Sequence, residues 1–220
     1  MSMRNLLIYG DSLSTGTHGE NAYLDTIRRE LGLENIMNFA VGSSGLTEHT
    51  PNSMMSILRK QIAEFFPLEN TPDIILVWHG SNDWYWGSPL GSYDDEQSFR
   101  GAIRFAVETL RKQYPDALIV WPTPIFRLEK PDGMTDVADG FINPNKNGDT
   151  LADIVLTLRE AAVRFHFPLI DMGSLVDIHL HNEEKYMEDH VHPNASGYEK
   201  IARALCSEIK KYWGIAHGSC

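Results

Sequence analysis

The stretch NLLIYGDSLS, residues 5–14, contains the signal that decides the fold. Its apolar first half, residues 5–9, predicts a short buried strand. The tripeptide Gly10-Asp11-Ser12 follows at once, and its residue types are those of a tight turn. If the strand belongs to a parallel sheet, the Ser12 hydroxyl stands at the carboxyl edge of that sheet, where α/β proteins bind their ligands.

The rest of the chain repeats a short apolar run followed by a longer segment of helical period, which is typical of βαβ units around a parallel sheet. Right-handed crossovers of this length predict a three-layer α/β/α domain. Two long polar loops, 84–94 and 122–148, leave the carboxyl ends of strands. The predicted strands are 5–9, 36–41, 73–79, 117–121 and 168–171, and the predicted helices lie near 21–32, 52–66, 95–113, 148–166 and 195–213.

The composition is that of an ordinary globular protein, with 42% hydrophobic and 22% charged residues. A length of 220 residues suits one domain, and we expect residues 1–220 to form it. The formal charge of -11 repels phosphate backbones and anionic headgroups, so nucleic acid and membranes are not expected partners. A small neutral or cationic molecule fits this charge better.

Targeting signals and cysteine pairing are not evident in the sequence. No apolar run approaches the ~20 residues that cross a bilayer, and the run at residues 6–9 ends directly in Gly-Asp-Ser, without the features of a signal peptide. We therefore expect a cytoplasmic protein. Cys206 and Cys220 match neither a disulfide framework nor a zinc-ligand spacing, so both are expected to be free thiols.

A second polar turn, Gly80-Ser81-Asn82-Asp83, follows the third predicted strand. It places the Asn82 amide at the same sheet edge as Ser12, where an oxyanion-hole donor would lie. The loop Gly42-Ser43-Ser44-Gly45 follows the second strand, and its glycines would let a backbone N–H approach a developing oxyanion. Taken singly, each of these motifs is more typical of a structural turn.

A carboxylate and two imidazoles, Asp189, His190 and His192, precede the last predicted helix, which the capping box at residues 196–199 is expected to open. A carboxylate three residues before an imidazole can turn back to its Nδ1–H, which leaves Nε2 able to take a proton from a serine. This spacing favours His192 as base with Asp189 as its partner. His190 is the alternative, but adjacent side chains in extended chain point apart.

Together these motifs resemble the four sequence blocks of the GDSL or SGNH hydrolases, which supply Ser, Gly, Asn and His in that order. The blocks lie here at residues 10–14, 42–47, 80–83 and 189–193, so the resemblance spans nearly the whole chain. It implies a flavodoxin-like α/β/α sandwich with a five-stranded parallel sheet, in agreement with the element order above. It also implies a serine esterase or acyl hydrolase that uses no metal or other cofactor.

The resemblance implies a role for each block. Ser12 would be the nucleophile of a carboxylic ester hydrolase, with His192 as its base and Asp189 as the acid partner. The N–H groups of Ser12 and Gly45, together with the Asn82 amide, would form the oxyanion hole.

The sequence departs from the family pattern at two positions. His190 replaces the small residue between the catalytic Asp and His, and His79 precedes the third block in place of an aliphatic residue. Neither change removes a catalytic group, but both affect the expected shape and charge of the pocket rim. In the second block, Gly42 is an alternative to Gly45.

The residues around the motifs bear on the substrate. Trp84, Tyr85 and Trp86 follow the third block, and at the rim they could stack on a sugar or cover a short acyl chain. A loop packed by these aromatics is an equally good interpretation. Because no basic amphipathic helix or apolar lid is evident, we expect a small soluble ester, with acetylated sugars as leading candidates. A lysophospholipase or thioesterase acting on longer acyl chains is the alternative.

Three further interpretations are less favoured. His179, His181 and His190 lack a nearby acidic or thiol ligand, so we expect no metal site. The helical segment 53–66, with Met54 and Met55, has the pattern of core rather than of an acyl-binding surface. A non-catalytic, flavodoxin-like phosphate-binding module would need a Gly-x-Gly-x-x-Gly motif or a phosphate-loop lysine after the first strand, and neither is there.

Overall fold

The computed structural model describes residues 3–64 and 70–218, in which strands and helices alternate as the sequence predicts. The strands are β1 (Asn5–Gly10), β2 (Asn35–Asn38), β3 (Ile74–Trp78), β4 (Leu118–Pro122), β5 (Leu128–Glu129), β6 (Ala138–Asp139) and β7 (Leu169–Ile170). The helices are α1 (Ala22–Leu31), α2 (Met54–Ala63), α3 (Ser81–Trp86), α4 (Phe99–Gln113), α5 (Leu151–Phe165), α6 (Met172–Leu175), α7 (Glu183–Tyr186) and α8 (Ala195–His217).

Within the described ranges, five strands form one parallel sheet in the order β2–β1–β3–β4–β7. This is the strand order of flavodoxin-like folds, in which ligands bind beyond the carboxyl ends of the strands where the order reverses. The predicted three-layer α/β/α sandwich with a five-stranded parallel sheet is confirmed. The strands β5 and β6 form a separate antiparallel pair within the long loop that follows β4.

Both faces of the sheet are covered by helices. In β1, Leu6 and Ile8 share a core cluster with residues of α1 and α8, whereas Leu7 and Tyr9 share one with residues of α2, α4 and α5. Alternate side chains of a strand point to opposite faces, so burial on both faces requires a continuous apolar run. Because the strands themselves are apolar, the polar side chains lie in the turns at the carboxyl edge of the sheet.

The second strand is shorter than the predicted 36–41. Asn38 ends β2, because its Oδ1 accepts a hydrogen bond from Ala40 N (3.0 Å) and its Nδ2 donates to Ser14 O (2.8 Å). Val41 N still donates to Gly10 O (3.0 Å), so the chain stays beside β1 beyond the end of the strand.

Two other expectations concern the helix after this loop and the cysteines. Met54 and Met55 are fully buried, which confirms that α2 contributes to the core, and the predicted helical positions 65–66 lie outside the described residues. Cys206 is buried and forms no disulfide, whereas Cys220 lies outside the described residues. Of the helices that the structure describes, none is both long enough and apolar enough to cross a membrane.

The capping box predicted at residues 196–199 is wrong. The last helix begins two residues earlier than that motif requires, with Asn194 as N-cap, and Asn194 Oδ1 accepts a hydrogen bond from Gly197 N (3.1 Å). Ser196 is exposed, and Glu199 pairs with Arg203 one turn later. A capping box does form, but at the start of α5.

The position of this cap predicts a difference between two alanine variants. Asn194→Ala removes the acceptor of Gly197 N, so the free energy of unfolding should fall by about 1 kcal/mol. Ser196→Ala should change it by less than about 0.5 kcal/mol, as expected of an exposed residue without such a contact. Urea denaturation of both variants and of Asn194→Asp, which keeps the acceptor, measures the difference. A larger loss for Ser196→Ala would instead indicate that Ser196 caps the helix.

Candidate active site

Ser12 lies in a short 3-10 turn, Ser12–Ser14, that begins directly after β1. The Asp11 carboxylate caps this turn by accepting a hydrogen bond from Leu13 N (2.9 Å). Gly10 allows the turn to close, because a Cβ there would lie 2.7 Å from Ser14 Oγ. The half-buried Ser12 side chain consequently lines a cleft at the carboxyl edge of the sheet.

The imidazole of His192 lies between Ser12 and Asp189. His192 Nε2 is 2.9 Å from Ser12 Oγ, and His192 Nδ1 is 2.8 Å from Asp189 Oδ2. When Nδ1 carries the proton and donates it to the carboxylate, Nε2 is the acceptor for the Ser12 hydroxyl. The three side chains then form one continuous hydrogen-bonded chain from carboxylate to hydroxyl.

The loop before α8 holds this chain in place. Met187 and Pro193 form an isolated antiparallel bridge, and Glu188 N donates to His192 O (2.7 Å). Asp189 Oδ1 accepts a hydrogen bond from His192 N (2.7 Å). The Asp189 carboxylate therefore binds both the backbone N–H and the ring of His192.

His190 points away from Ser12. Its φ of 68° lies in the left-handed region, and its Nδ1 is 2.9 Å from Glu183 Oε2. Of the two histidines in this loop, His192 is thus the one that contacts Ser12.

The pKa of Asp189 lies below its ordinary value. Partial burial by itself would raise it, but hydrogen bonds from the His192 ring and backbone, together with the imidazole charge, outweigh that effect. The carboxylate is therefore ionised at neutral pH and can hold the Nδ1–H of His192.

Asn82 lies in the first turn of α3, across the cleft from the histidine loop. Its Nδ2 donates to Ser44 O (2.9 Å) and lies 3.4 Å from Asp11 Oδ2. Its Oδ1 accepts a hydrogen bond from Arg127 Nη1 (3.0 Å). Because a guanidinium can only donate, Arg127 determines which end of the amide is the oxygen and which the donor.

Arg127 is a site residue that sequence reasoning missed. The buried guanidinium donates from Nε to Glu129 Oε2 (2.7 Å) and from Nη1 to Ser81 Oγ (3.2 Å), and its carbon lies 4.9 Å from the Tyr85 ring centroid. No motif surrounds it in the 122–148 loop. Only its tertiary contacts connect it to the site.

The structure contradicts the assignment of an oxyanion donor to Gly45. This glycine is buried, and its N–H already donates to Thr50 Oγ1 (2.8 Å). A Cβ at this position would lie 2.5 Å from Thr50 Cγ2 and 2.8 Å from Asp83 Oδ2. Glycine is needed here for packing, away from the cleft.

Of the four described residues 42–45, Ser43 is the one that lines the cleft with Ser12 and Asn82. Its φ of 60° is left-handed, and no described residue accepts a hydrogen bond from its N–H. The alternative Gly42 is exposed but does not line the cleft. The sequence predicts a glycine beside the cleft, because glycine adopts a left-handed conformation most readily, but here a serine adopts it.

A buried carboxylate fixes this loop against α3. Asp83 accepts hydrogen bonds from Leu46 N (2.8 Å), Thr47 N (3.0 Å) and Ser88 Oγ (3.1 Å). Burial raises its pKa above the ordinary value, although these hydrogen bonds act in the opposite direction. Asp83 thereby joins the second and third sequence blocks into one unit.

The cleft has a volume of about 320 Å³. The rings of Tyr85 and Trp86 meet edge to face in its wall, with centroids 5.0 Å apart. Residues from both sides of the carboxyl edge line it: Ser12, Ser43, Asn82, Tyr85, Trp86, Arg127, Glu129, Asp189, Val191 and His192.

Two residues expected at the rim are instead buried. Trp84 is 0% exposed, and its Nε1 donates to Asn143 O (3.0 Å), so the prediction that it binds substrate is wrong. It packs in the core because helix α3, rather than a loop, contains residues 84–86. His79 is also buried, which lowers its pKa to about 3, and it does not shape the rim.

The histidines outside the cleft have other neighbours. His179 lies beside Asn182, with Nε2 3.1 Å from Asn182 Nδ2, while His190 pairs with Glu183. In the part of the chain that the structure describes, no three His, Cys, Asp or Glu side chains are arranged to hold a metal ion.

Residues 8–200 match the sequence model of the GDSL-like Lipase/Acylhydrolase family. The chain belongs to this family. Family membership implies hydrolase activity, and it agrees with the resemblance carried by the four sequence blocks. A comparison of this GDSL-like chain with curated proteins gives no match.

Solved structures share the fold of this GDSL-like protein at low sequence identity. A Lactobacillus plantarum protein has a TM-score of 0.77 at 21% identity, with 96% of this chain and 98% of that chain covered. A possible lipase from Chitinophaga pinensis has a TM-score of 0.71 at 19% identity, covering 94% and 98%. A member of the lipolytic G-D-S-L family from Veillonella parvula has a TM-score of 0.59 at 12% identity, covering 93% and 97%.

Proposed function

We propose that the chain is a serine esterase in which Ser12 is the nucleophile, His192 the general base and Asp189 the partner that orients the base. The observation that carries this proposal is the continuous hydrogen-bonded chain from Asp189 through His192 to Ser12 at the mouth of a cleft. Family membership gives the class of hydrolase, and this geometry supports nucleophilic attack by a serine.

In the first half-reaction, His192 Nε2 takes the Ser12 proton while Ser12 Oγ attacks the ester carbonyl. The imidazolium that forms is stabilised by Asp189, whose carboxylate is ionised. His192 then gives the proton to the departing alcohol, and an acyl-enzyme remains. Water repeats the sequence with His192 again as base, and the carboxylic acid leaves.

The donors that we propose for the oxyanion belong to three residues that line the cleft. They are the N–H of Ser12, the N–H of Ser43 and Nδ2 of Asn82, and neither backbone group has an acceptor among the described residues. Ser43 thus takes the part that the sequence assigned to Gly45. Donors held in place before the reaction stabilise the developing charge, and losing one typically costs about 10²- to 10³-fold in turnover.

The cleft favours a small, polar ester. Its volume is near the lower end for small-molecule sites, which suits an acetyl group attached to one ring better than a long acyl chain. Glu129 lines the cleft, and because Arg127 binds its Oε2, the other carboxylate oxygen can accept a hydrogen bond from a substrate hydroxyl. Tyr85 and Trp86 offer aromatic surface. Acetylated carbohydrates therefore remain the leading candidates.

The nucleophile is tested by hydrolysis of nitrophenyl acetate. Ser12→Ala should abolish turnover, and a serine-directed phosphonate should label the parent protein at Ser12 but leave the variant unmodified. Ser14→Ala, a serine in the same turn that does not line the cleft, is the matched control and should keep measurable activity. Unchanged hydrolysis by Ser12→Ala would refute the proposal.

The base is tested by comparing the two histidines of the loop. His192→Ala should lower kcat by several orders of magnitude, whereas His190→Ala should stay close to the parent, because His190 contacts Glu183 instead of Ser12. Activity should fall in acid as His192 becomes protonated, since only the neutral ring accepts the Ser12 proton. An inactive His190→Ala beside an active His192→Ala would reverse the assignment.

The alcohol part of the substrate is tested at Trp86. If its ring stacks on a sugar, Trp86→Ala should raise KM for an acetylated monosaccharide more than for nitrophenyl acetate, and Trp86→Phe should restore most of the difference. Trp84 cannot serve in this test, because Trp84→Ala would open a core cavity at a cost of about 3–5 kcal/mol. Equal effects on both esters would argue against a sugar, and a preference for long acyl chains would favour a lipase or thioesterase.

A further inference from the structure

A second imidazole lies flat against the ring of His192. The rings of His18 and His192 are parallel within 5°, with centroids 3.8 Å apart. At the edge of the His192 ring, Asp189 contacts Nδ1 and Ser12 contacts Nε2. His18 covers one of its faces, a position that none of the four sequence blocks accounts for.

The stacked position of His18 is held by contacts with the histidine loop. Glu188 Oε2 lies 3.0 Å from His18 Nδ1, and Glu188 Oε1 accepts a hydrogen bond from Gly19 N (2.9 Å). Glu188 N in turn donates to His192 O. Gly19 packs so closely on Tyr198 of α8 that a Cβ would lie 2.3 Å from the ring. The loop that carries His18 is therefore attached to the loop that carries His192.

We propose that His18 is a positioning residue that fixes the plane of the His192 ring and, through its own charge, controls when His192 accepts a proton. This inference rests on the proposed role of His192 as general base. Asp189 restrains the His192 ring at its edge, and His18 would restrain the same ring at one of its faces.

The charge of His18 decides the sign of its effect. A neutral ring presents its π face to the imidazolium of His192 that forms during the reaction, which is a favourable arrangement. A protonated His18 would put two positive charges within stacking distance, which opposes proton uptake by His192. Proton uptake by His192 should therefore depend on whether His18 carries a proton.

Other ionisable groups near the pair are the same in the parent and in the His18 variants, so a comparison isolates His18. Glu188 binds His18 directly; burial would raise its pKa, but the donors His18 and Gly19 N lower it. Burial raises the pKa of Asp11 to about 7, so Asp11 also titrates in this range. The groups that face the pair are Glu188 and Asp189 of the histidine loop, Tyr198 of α8, Asp11 beside Ser12, and Arg127 and Glu129 across the cleft.

Two substitutions separate the stacking role from the charge role. His18→Phe keeps a flat ring without a titrating group, so kcat should stay close to the parent, while the acid limb of kcat/KM against pH should lose the contribution of His18. His18→Ala removes the ring, and kcat should fall on the order of 10- to 100-fold with little change in KM. Equal denaturation midpoints would show that neither effect comes from unfolding.

The coupling has a readout that does not depend on turnover. In a proton NMR titration, the Cε1–H of His192 should show one inflection fewer in His18→Phe than in the parent. Glu188→Gln keeps an acceptor but removes the negative charge, so the His18 step should move to lower pH. If esterase activity were absent but these inflections were seen, the proposed function would fail while the coupling stood.

The proposal is overturned if His18→Ala keeps the parental kcat, or if the His192 titration is the same in the parent, His18→Phe and Glu188→Gln. Should His18→Phe fail to fold, Glu188→Gln alone decides the charge role through the same NMR titration. A fall in kcat for His18→Ala with an equal fall for His18→Phe and an unchanged pH profile would also refute it.

Discussion

The parallel register of β1 and β3 is the constraint on which the site depends. Gly10 lies opposite Trp78 at the carboxyl ends of these strands, so the turns that follow begin at the same level of the sheet. Ser12 follows one strand and Asn82 the other, and helices cover both faces of the sheet. A shift of register would separate the serine from the amide. The backbone hydrogen bonds that hold the two strands together therefore also keep Ser12 and Asn82 at the same end of the sheet.

Buried carboxylates then convert this edge into a fixed arrangement. Asp11 caps the turn that carries Ser12, and Asp83 binds the backbone of the loop after β2. Each loses hydration on burial, and the N–H groups that each binds compensate for part of that loss. The benefit is rigidity, because a loop bound to a buried carboxyl group cannot move without leaving that polar group unpaired. Ser43 lies in the same loop, in a left-handed conformation beside the cleft.

Two positions differ from what the sequence predicts, because a residue type alone does not specify its contacts. Gly45 had the right residue type for a close backbone approach, but the approach it makes is to Thr50, and Ser43 holds the exposed position. Trp84 follows the third block as predicted, yet the helical turn of α3 directs it into the core, while Trp86 reaches the cleft. In both cases the direction of one group depends on its packing partners, which the local motif does not specify.

The sequence by itself determined the α/β/α architecture, because strands buried on two faces must be continuously apolar and amphipathic helices must alternate with them. It also determined the spacing of Asp189 and His192, since a carboxylate three residues before an imidazole reaches it within one loop. Only the tertiary structure decided that Arg127 orients Asn82 and that His18 covers His192. Those contacts join segments far apart in the chain, and no local periodicity or turn preference encodes which side chains will meet once the sheet has formed.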